Sequence, residues 1–447
     1  MDLMVKHMDQ IYSNAQLTII AAFGSSARDH LPGIGDKPVR CQRRAVIGET
    51  CLIEISNVGP DTVKSSKWAT RGWTFQEGYL SKRRLVFTDN EVLFLCNERL
   101  RKETETSNST NLNEFHSWVV PWESDSLWPH IKEYSKRDLS KDSDGLNAFL
   151  GVVKYYQLNK DRAKGQISHI RGIPLRMIEG QLRFDFLWRH PSIARRRDCL
   201  PSWSWSGWGG VCEIFSCEYD QLHTQPPPTE EHAAKTENPV VERIVRIHIP
   251  RRNGTVDLHT IIQEHQAGTF RDTDQKELRI TSFVIPLRFR TVNTSQMYFP
   301  HLNGSPPRGP KTVLTFGVKP DVFLSCPVYF DKEYNPSVHK EGLVLPRKGK
   351  FYEKCEDYTI IVLEPTADGK YERAGILRLN YKAKYKSDRP GSGVVGRLVG
   401  EQASDSWAVY LDNGGGVRGY PRSYVQYGVP NDYFFLGGSE WKTICLV

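Results

Sequence analysis

The chain has 447 residues, of which 39% are hydrophobic, 25% charged and 11% aromatic. That composition excludes a disordered, collagen-like or coiled-coil protein and leaves room for two or three globular domains. The formal net charge of +8 comes with only short basic clusters, Lys82-Arg83-Arg84, Arg195-Arg196-Arg197 and Arg251-Arg252, which read as solvated surface charge, so no nucleic-acid partner is expected.

In chain order, Leu3, Met4, His7, Met8, Ile11 and Tyr12 recur at helical spacing and predict one apolar helix face. Leu17 through Phe23 is a continuous apolar run, which predicts a strand buried on both faces, as in a parallel sheet. A loop follows to about residue 66, with turn signals at Pro32-Gly33 and Gly35-Asp36 and room for a strand or two over Ala45–Ile55. Arg84–Thr88, a turn at Asp89-Asn90, and Glu91–Cys96 read as a hairpin. From about 127 to 190 helical periodicity dominates, carried by Ile131, Tyr134, Leu139, Leu146, Phe149, Leu150, Val153 and Tyr156. Residues 221–240, with Pro226-Pro227-Pro228, read as a linker. Beyond it, short β-like runs at Val241–Ile249, Leu278–Val284, Thr312–Phe316, Tyr358–Leu363, Gly375–Leu379 and Trp407–Leu411 predict a β-rich region, with a sandwich as the expected form.

No run approaches 18 apolar residues, so no membrane-spanning helix is expected. Met1 to Gln10 lacks the apolar core of a signal peptide. Nine cysteines without a C-x-x-C pair fit reduced thiols in a cytoplasmic protein. Cys212, Cys217 and His223 lie near one another but lack the spacing of a zinc module, so no metal is expected. The N-x-[ST] sequons at Asn108, Asn253, Asn293 and Asn303 read as chance matches without a secretion signal.

The densest chemistry sits in Trp68-Ala69-Thr70-Arg71-Gly72-Trp73-Thr74-Phe75-Gln76-Glu77, which packs two tryptophans, an arginine and a carboxylate into one short stretch. Together with Ile11–Ala22, Leu31-Pro32-Gly33, Leu80–Arg83 and Phe87-Thr88, it resembles the heterokaryon incompatibility (HET) domain family of filamentous fungi. Tyr134–Leu139, Asp144–Phe149, Phe186-Leu187-Trp188 and Pro201 through Trp208 resemble the region after that domain. Two earlier family motifs, a Ser-Tyr-Cys-Trp-Gly-like and an Asp-Ser-Leu-Cys-Ile-Asp-Gln-like segment, are missing. The resemblance therefore implies the latter part of the domain, and an α/β sheet without its first strands would carry an unpaired edge. What the resemblance implies is an α/β fold, a partial TIR-like or HET-type sheet, followed by a helical segment and a β-rich C-terminal region. The expected division is residues 1–100 as a partial HET domain, 101–220 as a mostly helical region ending in the Trp-rich motif, 221–240 as linker and 241–447 as a β-rich domain.

The family implies non-self recognition and programmed cell death after incompatible cell fusion. Its expected partners are other proteins: a second copy of the chain or an incompatibility partner. The family has also been likened to TIR domains, some of which cleave NAD. That likeness makes Glu77 a candidate catalytic carboxylate at a helix start, with NAD as a substrate and no resident cofactor. The plainer reading makes Thr74-x-x-Glu77 a capping box, with Trp68 and Trp73 as packing anchors, Arg71 on the surface or paired to a carboxylate, and Gly72 at the turn. A third reading is an inactive remnant. Elsewhere, Trp203, Trp205 and Trp208 read first as packing and second as a ligand platform. Gly391–Gly396 matches G-x-G-x-x-G without the strand and helix a dinucleotide site needs. Asp185 and His190 read as a surface pair.

Overall fold

The computed structural model describes residues 7–24, 26, 28–29, 31–34, 43–54, 60–96, 99–103, 126–158, 166–178, 181–215, 243–251, 253–270, 276–293, 310–315, 322–325, 328–346, 350–351, 357–380, 407–410 and 439–447. The linker stretch 221–240 and the glycine motif at 391–396 lie outside them. The chain divides into two compact units, one of Met1–Pro174 with Gly209–Glu213 and one of Leu175–Trp208 with Ile214–Val447. Helix and strand are mixed across several sheets, and the region after residue 240 is β-rich.

The first unit opens with helix α1 (Met8–Asn14) and strand β1 (Thr18–Ala21), in the order the apolar spacing predicts. The β2 (Arg44–Ile47) and β3 (Thr50–Ile53) strands form a separate hairpin. Three short helices follow: α2 (Pro60–Lys64), α3 (Lys67–Thr70) and α4 (Thr74–Leu80). The chain then enters β4 (Arg83–Phe87), β5 (Val92–Cys96) and β6 (Leu100–Lys102). The sheet order is β1-β4-β5-β6, with β1 parallel to β4 and the other pairs antiparallel. The predicted hairpin turn is closed by the Thr88 hydroxyl, which donates to the Glu91 carbonyl at 2.7 Å and accepts the Glu91 N–H at 3.1 Å. Such a side-chain loop over Asp89-Asn90 is the local chemistry those residue types favour.

One expectation needs correction. The run around β1 is covered on one face only: Thr18 and Ile20 are buried, whereas Ile19 is 58% exposed. Successive strand side chains point to opposite faces, so an apolar run alone does not say whether its second face has cover.

Helices α5 (Trp128–Ser135), α6 (Asp144–Asn147) and α7 (Leu150–Leu158) complete the unit's helical part. Phe75 of α4 is the hub of its aromatic core. Its ring centroid lies 5.7 Å from that of Tyr134 and 6.0 Å from that of Phe149, separations at which edge-on and tilted rings attract. An ion pair of 2.6 Å between Lys154 and Asp9 joins α7 to α1. The helical stretch expected to reach residue 190 ends at Leu158. Strands at Gln166–Ile170, Ile173–Ile178 and Gln181–Phe184 follow. The reason is local: Arg171-Gly172, both at positive φ, form a turn that a helix cannot pass through.

In the second unit, β7 (Arg246–Arg251), β8 (Gly254–Asp257), β9 (Leu278–Pro286), β10 (Val328–Phe330), β11 (Glu341–Pro346), β12 (Asp357–Pro365), β13 (Tyr371–Asn380) and β14 (Glu440–Leu446) make one eight-stranded sheet. The expected sandwich is not what forms. β9 pairs with β11, β11 with β12, β12 with β13, and β14 with both β13 and β9, so the ladders close into a ring. The last link is the single pair Tyr371–Leu446, and β7 with β8, and β10, branch from the circuit. Ile280, Leu343, Leu345, Ile360, Val362, Ile376, Ile444 and Leu446 are buried on its strands. A register shift between Val362 and Leu363 marks a bulge opposite Arg373 to Gly375. Arg373 and Ala374, both buried, sit at this bulge. A separate antiparallel sheet joins Arg288–Asn293, Pro310–Thr315, Val322–Ser325 and Trp407–Tyr410.

Candidate functional site

The Trp68–Glu77 segment is two short helices around a tight corner. Ser66 caps the first, its hydroxyl accepting the Ala69 N–H at 3.2 Å. The corner at Arg71-Gly72 is pinned from outside: the Gly72 N–H donates to the Asp138 carbonyl at 2.7 Å, and the Asp138 N–H donates to the Thr70 carbonyl at 2.6 Å. A side chain at Gly72 has no room, because a Cβ there would lie 2.4 Å from Leu139 Cδ2. A larger residue here would have to displace the Leu139 side chain.

The predicted capping box does not form. The residue ahead of α4 is Trp73, already in helical geometry and without a side-chain cap bond. Thr74 sits inside the helix and is buried. Its hydroxyl lies 2.5 Å from the Trp68 carbonyl and 2.6 Å from the Arg71 carbonyl, and it accepts from Arg137 Nη1 at 3.0 Å. The preceding helix, ending so close by, supplies acceptors that outcompete the capping geometry.

Glu77 turns to side chains instead of backbone. Its Oε2 accepts the Trp68 indole N–H at 3.0 Å, and its charge bears on the Tyr12 phenol of α1. Burial and the Glu77 charge together hold the Tyr12 phenol well above its ordinary pKa, with the Arg71 charge opposing them. Glu77 thus ties the two helices of the segment together, with Tyr12 of α1 within range of its charge. Trp73 points elsewhere, its indole N–H donating to Asp144 Oδ2 at 3.1 Å. Arg137 lies over the Phe75 ring at 4.9 Å and the Trp68 ring at 5.7 Å, a cation–π arrangement. Burial lowers its pKa to about 10, with the charge of Glu133 opposing most among its neighbours. The structure therefore brings Trp68, Arg71, Thr74 and Glu77 together, and adds Tyr12 and Arg137. Both additions lie in the motif segments read above, but nothing local in sequence marks them as partners of Glu77 and Thr74.

This geometry predicts a graded response at Glu77. Glu77→Ala leaves the Trp68 N–H without its acceptor and should lower stability by about 1–2 kcal/mol in urea unfolding. Glu77→Gln keeps one acceptor oxygen and should lose less. Equal losses in both variants would show that the bond to Trp68 does not hold the two helices together.

The Trp-rich motif lies in the second unit. Trp203, Trp205 and Trp208 are each only 1% exposed. A short 3-10 turn over Trp205–Gly207 carries the middle of the motif. The Trp203 N–H donates to the Lys276 carbonyl at 2.9 Å and the Trp208 N–H to the Ser202 carbonyl at 2.8 Å. Buried rings with satisfied N–H groups are packing elements and present no open face to a ligand. Ser202 also grips the C-terminus, its backbone N–H donating to the Val447 carbonyl at 2.9 Å.

Two charge readings change here. Arg196 and Arg197 are not solvated: Arg196 Nη1 donates to the carbonyls of Arg197, Leu200 and Gly207 at 2.5, 2.7 and 3.0 Å, and Arg197 Nη1 donates to the Ser206 carbonyl at 3.1 Å. Each guanidinium's fork of donors suits a loop rich in turned-in carbonyls. Asp185 and His190 are not a surface pair either. Both are buried, Asp185 binds Arg176 at 2.9 Å, and His190 lies between the Trp188 and Trp208 rings.

The sequence did not announce the deepest ion pair. Arg373 Nε donates to Asp331 Oδ2 at 2.8 Å, with both side chains fully buried. The guanidinium carbon lies 3.5 Å from the Trp188 ring centroid, and Nη2 donates to the Trp188 carbonyl.

Among the described residues no cluster of histidine, cysteine and carboxylate side chains has the arrangement of a metal site. Cys212 is buried, and its backbone N–H donates to Ser135 Oγ at 2.9 Å. No described helix is long and apolar enough to cross a membrane.

Neither a curated protein nor a solved structure matches the chain. Residues 2–77 match the family described as Heterokaryon incompatibility protein (HET). The matched span takes in Tyr12 and ends on Glu77. The match is consistent with a partial HET domain at the N-terminal end of the chain.

Proposed function

We propose that the protein acts in the cytoplasm of a filamentous fungus in non-self recognition and programmed cell death, through contacts with other proteins instead of bond cleavage at Glu77. The family match over residues 2–77 supports the biological role. Free thiols at Cys51, Cys96, Cys199, Cys212 and Cys445 fit a reducing compartment. The observation that carries the non-enzymatic reading is the engagement of Glu77. A carboxylate that must hold a ribose hydroxyl or stabilise a departing nicotinamide has to face its substrate. Here it accepts from Trp68 and serves as a clamp between the two short helices of the segment.

The competing reading, an NAD-cleaving hydrolase, makes a different forecast. On the non-enzymatic reading, purified protein incubated with NAD should release nicotinamide no faster than buffer, and Glu77→Gln should not change that. Expression in a filamentous fungus should reduce viability, measured by exclusion-dye staining, equally for the native chain and Glu77→Gln. Nicotinamide release that disappears in folded Glu77→Gln, together with loss of killing, would overturn the proposal in favour of the hydrolase.

A further inference from the structure

The β2–β3 hairpin is unusual in having no inside. Arg44 pairs with Ile53, Ala45 with Leu52, Val46 with Cys51 and Ile47 with Thr50, across a turn at Gly48-Glu49. Gly48 has φ +63°, the left-handed conformation that a tight two-residue hairpin turn requires of its first residue. Alternation puts Val46, Cys51 and Ile53 on one face and Ala45, Ile47 and Leu52 on the other. Every residue of both strands is exposed, with Val46 at 70% and Ile47 at 67%. Among the described residues neither strand has a further neighbour. A two-stranded hairpin with apolar residues on both faces is at best marginal by itself, and it gains most by adding strands.

The charges say which strand and which partner. The Glu54 N–H donates to the Arg43 carbonyl at 2.8 Å, so Arg43 belongs to a hydrogen-bonded pair of this hairpin. By the antiparallel alternation, the backbone groups of Arg44 and Val46 then point to the open side of β2. Two copies of β2 running antiparallel can pair there about a two-fold axis at Val46. In that register Val46 meets Val46 of the second copy in a hydrogen-bonded pair, Ala45 meets Ile47, and Arg43 meets Glu49. The last contact occurs twice, once on each side of the axis. Arg43, which has only a 3.9 Å contact to Glu54 with both groups open to water, gains an oppositely charged partner. The same operation on β3 brings no opposite charges together. We infer that the open edge of β2 is a homodimer interface, in which two hairpins join into one four-stranded antiparallel sheet. This inference is independent of the reading of Glu77, which lies outside the hairpin.

The test uses the full-length protein in sedimentation velocity over a concentration series. The native chain should dimerise. Arg43→Glu and Glu49→Arg should each weaken the dimer by about tenfold or more, and the double swap should return to within about threefold of the native constant. The double swap still sets an acidic side chain at position 43 against Glu54 inside its own hairpin, so recovery cannot come from repairing the monomer. In a Cys51→Ser background, which prevents cross-strand pairing within one hairpin, Val46→Cys should yield a disulfide-linked dimer under a mild added oxidant. The expected Cα separation of such a pair, about 5.5 Å, lies within disulfide range. A chain that stays monomeric, a dimer indifferent to both charge reversals, or a double swap no better than the singles would overturn the inference.

Discussion

Asp331→Ala should destabilise the second unit by about 3–5 kcal/mol, the largest effect expected of any single substitution here. The loss comes less from the attraction removed than from what stays behind. Arg373 is fully buried, stacked on Trp188 and held by a bulge in β13, and it cannot reach water. Without Asp331 its charge remains in the interior with only carbonyl and ring contacts. Removing both charges should cost far less: Asp331→Leu with Arg373→Met replaces a buried pair with apolar groups, and such replacements are often close to neutral. Urea-dependent hydrogen exchange of the Tyr371–Asn380 amides reports this unit alone. If the single and the double variant lose the same stability, the pair is not the element that holds the bulge.

Acid should loosen the first unit well before its carboxylates titrate. Burial pushes His130 down to about 4, and burial together with the Arg171 charge does the same for His169. His130 sits against the rings of Tyr79 and Tyr156, and its Nε2 shares a 2.6 Å hydrogen bond with the Tyr156 hydroxyl. His169 accepts the Gly172 N–H at Nδ1. Both therefore stay neutral in the folded chain at pH values where the unfolded chain binds protons, from about 6.5 downward. Because the unfolded state binds more protons in that window, stability is complete above it and falls as the pH drops toward 4. The loss is on the order of 3 kcal/mol for each histidine. Urea midpoints measured between pH 7 and pH 4 should show the slope, and His130→Gln should remove roughly half of it. A midpoint independent of pH over that range would mean that neither imidazole is held neutral.

The two predictions differ in how far sequence alone could have led to them. His130 falls on the apolar face of α5, where helical spacing marks burial, and buried imidazole follows from that. Asp331, in the bend after β10, and Arg373, on β13, are far apart in sequence and give no local sign of meeting. Their pairing follows from β10 lying beside β13 in the sheet.

The same contrast runs through the candidate site. Local pattern was enough for the helix and strand at the N-terminus, for the hairpin turning at Asp89-Asn90, for the β-rich character after residue 240, and for the HET resemblance that the family match bears out. These depend on spacing, turn chemistry and residue type within a few positions. Local pattern misled where an outcome depended on what lies across space. Thr74 and Glu77 have the spacing of a capping box, yet the Trp68 carbonyl and the Trp68 indole N–H compete for them and prevail. The run at Leu17–Phe23 is apolar throughout, but cover on its second face is a property of neighbours, not of the strand. Arginines at 196 and 197 look like surface charge until a loop folds its carbonyls onto them. Sequence by itself determined the elements and the family, because those are set by short-range sterics and periodicity. Tertiary structure decided which polar groups meet, because a hydrogen bond goes to whichever partner the fold brings within reach and away from water.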